Sequence, residues 1–315
     1  MIEIIKPGFY TLIQDVGRNQ FQEYGMPVSG VMDYDSYRLA NWLVENTSGE
    51  AVLEITMTGP EILFLEETEI GITGADMSPS INGKVIEMYT TVLVSKDDIL
   101  SFGKLKNGFR SYLSVNGGFE VANEMNSRST YVYAKIGGMD GRALRVRDLI
   151  PLGLRRSVSL KKVPKQLVIK PFSVTSIRVI LGPEFGVLNH GEQSCFFSTE
   201  YCIDNNSNRM GYRLKGEAIA HDSKEILSTG IVNGTVQLPP GGMPIVLLAD
   251  AQTTGGYPRI AMVIKSDLPL LAQLKPGDVL RFRKVSLEEA QANFYNKENQ
   301  FKDLLYFSEK TEKGD

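Results

Sequence analysis

The chain has 315 residues, a formal net charge of -3, 42% hydrophobic and 23% charged residues, enough for two cored domains of ordinary composition. Its Lys and Arg residues are scattered, which excludes the clustered basic footprint of a nucleic-acid binder. No apolar run approaches the roughly 18 residues of a membrane span. Met1-Ile2-Glu3-Ile4-Ile5-Lys6-Pro7 enters a strand-like pattern without a signal-peptide plan, so a cytoplasmic location is expected. The two cysteines, Cys195 and Cys202, fit neither a disulfide framework nor a zinc knuckle, and the two histidines, His190 and His221, are too few for an imidazole cluster. A dedicated metal site is therefore not expected, and carboxylate-bound magnesium stays open.

Residues 1–32 interleave polar groups with glycines and lack helical periodicity, so extended chain and loops should display Gln14, Asp15, Arg18, Ser29 and Asp33. Asp15 bracing Arg18 within a loop and a ligand site fit these residues equally. Asp33 or Asp35 can cap a helix through Tyr37, Leu39, Ala40, Trp42, Leu43 and Val44, with Trp42 on its apolar side as a packing residue.

Short strand-like runs follow at 52–57, 61–65, 69–73, 92–94 and 111–115, and Asn82-Gly83 and Asn107-Gly108 read as hairpin turns. Asn126-Ser127-Arg128-Ser129-Thr130 and Gly137-Gly138-Met139-Asp140-Gly141-Arg142 have the composition of loops that cradle anions. Neither ends in Gly-Lys-Ser/Thr, so tight turns explain them better than a P-loop. The proline-punctuated segment 151–172 is the best linker. The domains are thus expected at 1–172, 173–285 and 286–315.

A strand is predicted at 177–181. If Ser207-Asn208-Arg209-Met210-Gly211-Tyr212-Arg213-Leu214 is extended, Arg209 and Arg213 share one face and want an anion, a protein carboxylate as readily as a substrate. Two buried strands, 244–248 and 260–264, flank the polar stretch Ala249-Asp250-Ala251-Gln252-Thr253-Thr254-Gly255-Gly256-Tyr257-Pro258. Taken alone, that stretch fits a self-satisfied hairpin turn better than a ligand rim. Residues 274–282 supply a last turn and strand. Ser286-Leu287-Glu288-Glu289 then opens a C-terminal helix with Ala290, Phe294, Phe301, Leu304 and Leu305 inward, and 309–315 is a solvated tail.

Six of these stretches, in order, carry a resemblance: Gln14–Arg18, Gly25–Asp33, Ser127–Thr130, Gly137–Arg142, Ser207–Leu214 and Ala249–Pro258. Together they resemble the family of C-type 5-oxoprolinase subunits, also described as Kip antagonists and related to allophanate hydrolase subunit 2 and to the biotin-dependent carboxyltransferase domain of urea carboxylase. Two departures stand out. Asn19-Gln20 and Arg147-Asp148 occupy places where the family usually has a glycine nearby.

The resemblance implies a mainly β protein: a β-rich N-terminal domain with one clear helix, a cyclophilin-like β-barrel at 173–285, and a C-terminal helix. It implies the C-type component of an ATP-dependent 5-oxoprolinase, a hydrolase active only as a complex. The direct partner is a B-type, Kip-inhibitor-like component of the same 5-oxoprolinase, and an A-type component takes part functionally. ATP, with or without magnesium, drives cleavage of the cyclic amide of 5-oxoproline to glutamate. Asp15, Arg18, Arg128, Asp250 and Gln252 are the expected catalytic residues. Ser29, Asp33, Ser129, Arg142, Arg209, Arg213, Gln237, Thr253, Gly255, Gly256 and Tyr257 are expected to bind substrate. Two alternatives remain: a biotin-using carboxyltransferase component, and a non-catalytic antagonist of a kinase-inhibiting protein.

Overall fold

A computed structural model of the chain describes residues 1–47, 49–168, 174–221 and 226–311, with the side chains of 174 and 304–311 set aside. The protein divides into two compact units, residues 1–171 with 272–275, and residues 172–271 with 276–315.

The first unit is built on strands β1 (Ile2–Lys6), β2 (Tyr10–Gln14), β3 (Val52–Thr56), β4 (Glu61–Phe64), β5 (Thr68–Asp76), β6 (Pro79–Ile81), β7 (Lys84–Val85), β8 (Thr91–Val94), β9 (Ile99–Phe102), β10 (Asn107–Val115) and β11 (Leu149–Ile150). They form two sheets, ordered β11-β1-β4-β9-β6-β7 and β2-β3-β10-β5-β8. Both sheets supply one apolar core, in which Ile4, Ile13, Leu53, Ile55, Ile62 and Phe64 are fully buried. Each such side chain contributes roughly 1.5–3 kcal/mol relative to exposure. Helix α1 (Tyr34–Leu43) is capped by Asp33, whose side chain accepts from the Ser36 amide. Trp42 is only half-buried, with the Lys161 ammonium 5.2 Å from its ring centroid.

Asn82-Gly83 does close a hairpin, since Ile81 pairs with Lys84 and both turn residues have positive φ. Asn107-Gly108 does not. It lies inside β10, where the register against β5 shifts between Asn107 and Ser111, so the positive φ of Gly108 serves a bulge. The expected linker is also not free chain. Thr91 donates to the Lys161 carbonyl at 2.9 Å, Arg155 is paired with Glu67 and Glu69, and Val163 is buried. Residues 169–173, at the end of that linker and the start of the expected barrel, lie outside the described residues. Both departures from the family pattern have a backbone cost. Gln20 and Arg147 sit at φ 77 and 69, in the region a glycine occupies without strain.

In the second unit, β12 (Val174–Leu181), β13 (Tyr201–Ile203), β14 (Gly211–Lys215), β16 (Thr235–Gln237), β17 (Ile245–Leu247), β19 (Arg259–Val263) and β20 (Val279–Lys284) close a barrel in the order β12-β19-β16-β17-β14-β13-β20. The short strands β15 (Thr229–Gly230) and β18 (Thr254–Gly255) pair separately. The mainly β architecture with a closed barrel is as expected. The supposed hairpin at 244–264 is not: β17 and β19 are not neighbours, because β16 lies between them and pairs with both.

Helices α2 (His190–Ser198) and α3 (Leu268–Ala272) were not anticipated. The signal for α2 is a full capping box, Asn189 with Glu192. The helix delivers Phe196 into an aromatic cluster, stacked 4.8 Å from Phe282. Helix α4 (Leu287–Thr311) starts at Ser286, whose hydroxyl accepts from the Glu289 amide at 3.1 Å, and buries Phe301. It runs into the expected solvated tail as far as Thr311. The inward role expected of Leu304 and Leu305 concerns side chains outside the described residues, as do residues 312–315.

Candidate functional sites

In the first unit, β2 ends at Gln14, and the next residue, Asp15, turns its carboxylate into the loop 127–130. Oδ1 accepts from the Gly17 amide at 2.8 Å and from the Ser127 and Ser129 hydroxyls at 2.6 Å each, and Oδ2 accepts from the Arg128 amide at 2.5 Å. The Ser129 hydroxyl in turn accepts from the Asp15 amide at 2.9 Å. Four donors thus hold one carboxylate that is 3% exposed.

The Arg18 guanidinium, fully buried, donates to the Ser129 carbonyl. This packing depends on Gly137. A Cβ there would lie 2.1 Å from the Ser129 oxygen and 2.3 Å from Arg18 Nη2. Ser29, at φ 56, and Gln14 both donate to the Thr130 carbonyl, at 3.3 and 3.0 Å. Arg128 is half-buried and lies 3.6 Å from Glu50. The residues expected on display are therefore interior, and polar atoms of Gln14, Asp15, Arg18 and Ser29 are turned into contacts with the loop 127–130.

Asp33 belongs to a second polar network of the same unit. Its Oδ2 accepts from Gln273 Nε2 and from the Ser36 hydroxyl, each at 2.7 Å, and its amide donates to the Tyr112 hydroxyl, which donates to Glu54. Gln273 Oε1 accepts from the Phe109 and Arg110 amides, both at 3.0 Å, which the β10 bulge frees from strand pairing. Burial pushes the Asp33 carboxyl up to about 6, neighbouring Asp35 acts in the same direction, and the bonds from Gln273 and Ser36 oppose them. Burial likewise holds the Tyr112 hydroxyl well above its ordinary value.

Arg142 is committed to Asp148, with Nη1 and Nη2 at 2.7 and 2.9 Å from its two oxygens. The pairing holds Asp148 below the usual carboxylate range against the opposing effect of burial. Arg142 thus braces a turn.

In the second unit, Arg209 meets Asp250: Nε to Oδ2 is 2.9 Å and Nη2 to Oδ1 is 3.0 Å, with both side chains buried. Of the two anions open to Arg209, the protein carboxylate is the one it holds. The expected shared face for Arg209 and Arg213 fails because β14 starts only at Gly211. Arg209 lies in the preceding turn, and Arg213 is exposed on the strand. Gln237, buried at the end of β16, donates to the Tyr257 carbonyl at 3.3 Å and sits 2.8 Å from where a Gly255 Cβ would be. Thr253 and Gly256 accept the Ile231 and Ile226 amides through their carbonyls, and Gln252 is exposed.

Of the expected residues, Asp15, Arg18, Ser29, Arg128 and Ser129 lie around one loop of the first unit, and Arg209, Gln237, Asp250, Thr253, Gly255, Gly256 and Tyr257 lie in the second. Asp33 and Arg142 stand apart in the first unit, and Gln252 and Arg213 are exposed in the second. Gln14 and Gln273 were missed as site residues. Gln14 was legible as the first residue of the Gln14–Arg18 motif, whereas Gln273 sits in no motif. Two clefts of about 450 and 490 Å³ in the first unit, one beside Tyr89 and Asp76 and the other beside Glu67 and Arg155, include none of the expected residues. No cluster of three or more metal-ligating side chains occurs among the described residues, and no described helix is long and apolar enough to cross a membrane.

The closed barrel and the two-sheet unit match part of the solved Kluyveromyces lactis urea carboxylase, with a TM-score of 0.86 at 31% identity over 92% of this chain and 28% of that chain. The chain belongs to the carboxyltransferase domain family, subdomains A and B, whose model matches residues 24–284. It is 36% identical to the C-type subunit of the Escherichia coli 5-oxoprolinase over 97% of this chain and 98% of that protein. It is 34% identical to the urea amidolyase of Saccharomyces cerevisiae, matching 92% of this chain but 17% of that one.

Proposed function

We propose that this chain is the C-type subunit of a 5-oxoprolinase, an ATP-driven hydrolase that opens the cyclic amide of 5-oxoproline to glutamate. The carrying observation is the 36% identity to the E. coli 5-oxoprolinase subunit. The chain and the E. coli protein match over 97% and 98% of their lengths, whereas the yeast urea amidolyase devotes 17% of its chain to the equivalent region. Because the E. coli relative is itself a subunit, we assign this chain a B-type direct partner and an A-type subunit in the working complex.

A lactam is resonance-stabilised, and ATP supplies activation of its carbonyl oxygen. Four of the five guanidinium groups expected to act on substrate already have protein partners: Arg18 on the Ser129 carbonyl, Arg128 on Glu50, Arg142 on Asp148 and Arg209 on Asp250. They do not fit a phosphate clamp as they stand. No step through nucleotide is therefore assigned to them, and ATP and any magnesium belong to the complex. What this chain contributes is a set of buried, preorganised polar groups for the amide part of the substrate.

The test is co-expression with the B-type subunit, addition of the A-type subunit, and measurement of 5-oxoproline consumption. Turnover that requires ATP and all three chains is expected. A purified three-chain complex that hydrolyses no lactam would refute the reading. The superposition on the K. lactis enzyme supports a second reading, a biotin-dependent carboxyltransferase. It predicts turnover only when a biotinylated carrier and urea or a related amide are supplied.

A further inference from the structure

Gln14 closes β2 and is fully buried. Its Nε2 donates to the Thr130 carbonyl at 3.0 Å. This fixes the amide's orientation, because exchanging its two ends would set two oxygens against each other. The Ser29 hydroxyl serves the same carbonyl. Around it, Asp15 holds four donors and Arg18 holds Ser129. Gln14 Oε1 is different: it is buried and accepts no hydrogen bond among the described residues. A buried acceptor is rarely left bare, and a side-chain carbonyl oxygen accepts only N–H or O–H.

We propose that Gln14 Oε1 recognises the N–H of a cyclic-amide substrate, which rests on the lactam-opening reading above. An amide nitrogen inside a five-membered ring presents its N–H on the same edge as its carbonyl, so one acceptor on that edge distinguishes a lactam from the lactone of identical shape. The loop 127–130 borders the site through the Thr130 carbonyl, and the residues that lead into it, Met125 and Asn126, both have left-handed backbone. Because Oε1 is buried, substrate reaches it in an opened state of this loop that keeps the Thr130 carbonyl on Gln14 Nε2.

The experiment uses the reconstituted three-chain complex, with 5-oxoproline as substrate and the matching lactone carboxylate, which has a ring oxygen in place of N–H, as competitor. The wild-type complex is expected to bind the lactam at least about tenfold more tightly than the lactone. Gln14→Met is expected to lower kcat/KM for 5-oxoproline about tenfold and to collapse the lactam-to-lactone ratio towards unity. Gln14→Glu, protonated in this buried position so that its O–H serves the Thr130 carbonyl and its other oxygen stays an acceptor, is expected to retain the preference, and it carries the test if the Met variant fails to assemble. A purely structural role for Gln14 would lower thermal stability and turnover and leave the ratio unchanged, and that result overturns the proposal. So does a Glu variant without the preference, or a wild-type complex that binds both ligands equally. An inactive wild-type complex refutes the lactam reading along with it. An active complex whose Gln14→Met ratio is unchanged refutes this inference alone.

Discussion

Two buried carboxylates, one in each unit, are held by opposite means. Asp250 faces a guanidinium in a two-point pair with Arg209, so the two charges neutralise each other on the spot. Asp15 takes its four bonds from two amides and two hydroxyls, and Ser129 stands between it and Arg18, giving its hydroxyl to one and its carbonyl to the other. The first arrangement is a clamp that pins a turn. The second spreads a charge over the backbone of a loop, and ties that loop's geometry to a cation and to Gln14. Only the second is built so that moving a few residues changes several polar contacts at once.

The largest expected effect breaks this comparison where the pairing is ionic. Asp250→Ala leaves Arg209 buried opposite no carboxylate and should cost about 4 kcal/mol in urea unfolding, while replacing both residues by leucine should recover most of the loss. Asp15→Asn keeps an oxygen for the hydroxyl and amide donors and should cost about 2 kcal/mol, roughly half as much. Equal losses for Asp250→Ala and Asp15→Asn would show that the two carboxylates are held alike.

Asp33 supplies a third case, a buried carboxyl raised from 3.8 to about 6. The folded protein binds this proton more tightly than the unfolded chain. Its stabilising effect is therefore complete below about pH 4 and is lost as pH rises through 6. Between pH 4 and pH 8 the balance of stability should move in favour of Asp33→Asn, relative to wild type, by up to about 3 kcal/mol. Asn also remains a competent helix cap. Urea unfolding of both proteins across that range measures the shift. Two parallel stability curves would mean that Asp33 stays ionised throughout.

The sheet content, the first and last helices and the family were legible because they rest on local pattern: alternation, a cap three residues before an acceptor's partner, and six ordered motifs. What failed depended on distant partners. Nothing in Asn107-Gly108 distinguishes a hairpin from a bulge until Gln273, more than 160 residues later, takes up the freed amides. Strands 244–248 and 260–264 looked like a hairpin because β16, which separates them, comes earlier in the chain. Composition singled out Arg142 and Arg209, and the structure pairs them with Asp148 and Asp250, partners that motif spacing alone does not assign.

The smallest expected effect on stability is the most informative about function. Arg213 is exposed on β14, and its guanidinium holds no hydrogen bond or ion pair among the described residues, unlike Arg18, Arg142 and Arg209. Solvent already satisfies it, so Arg213→Ala should change unfolding free energy by less than about 0.5 kcal/mol. The other arginines confound binding with folding, since removing any of them unpairs an interior group. Arg213 does not. If it meets an anion on a substrate or a partner chain, Arg213→Ala should weaken assembly or raise KM in the three-chain complex at unchanged thermal stability. The loss should also shrink as salt is raised, because an exposed charge is screened over about 8 Å at physiological ionic strength. Unchanged assembly and KM at low salt would remove Arg213 from the site and leave recognition to the remaining groups, of which only Gln252 is exposed.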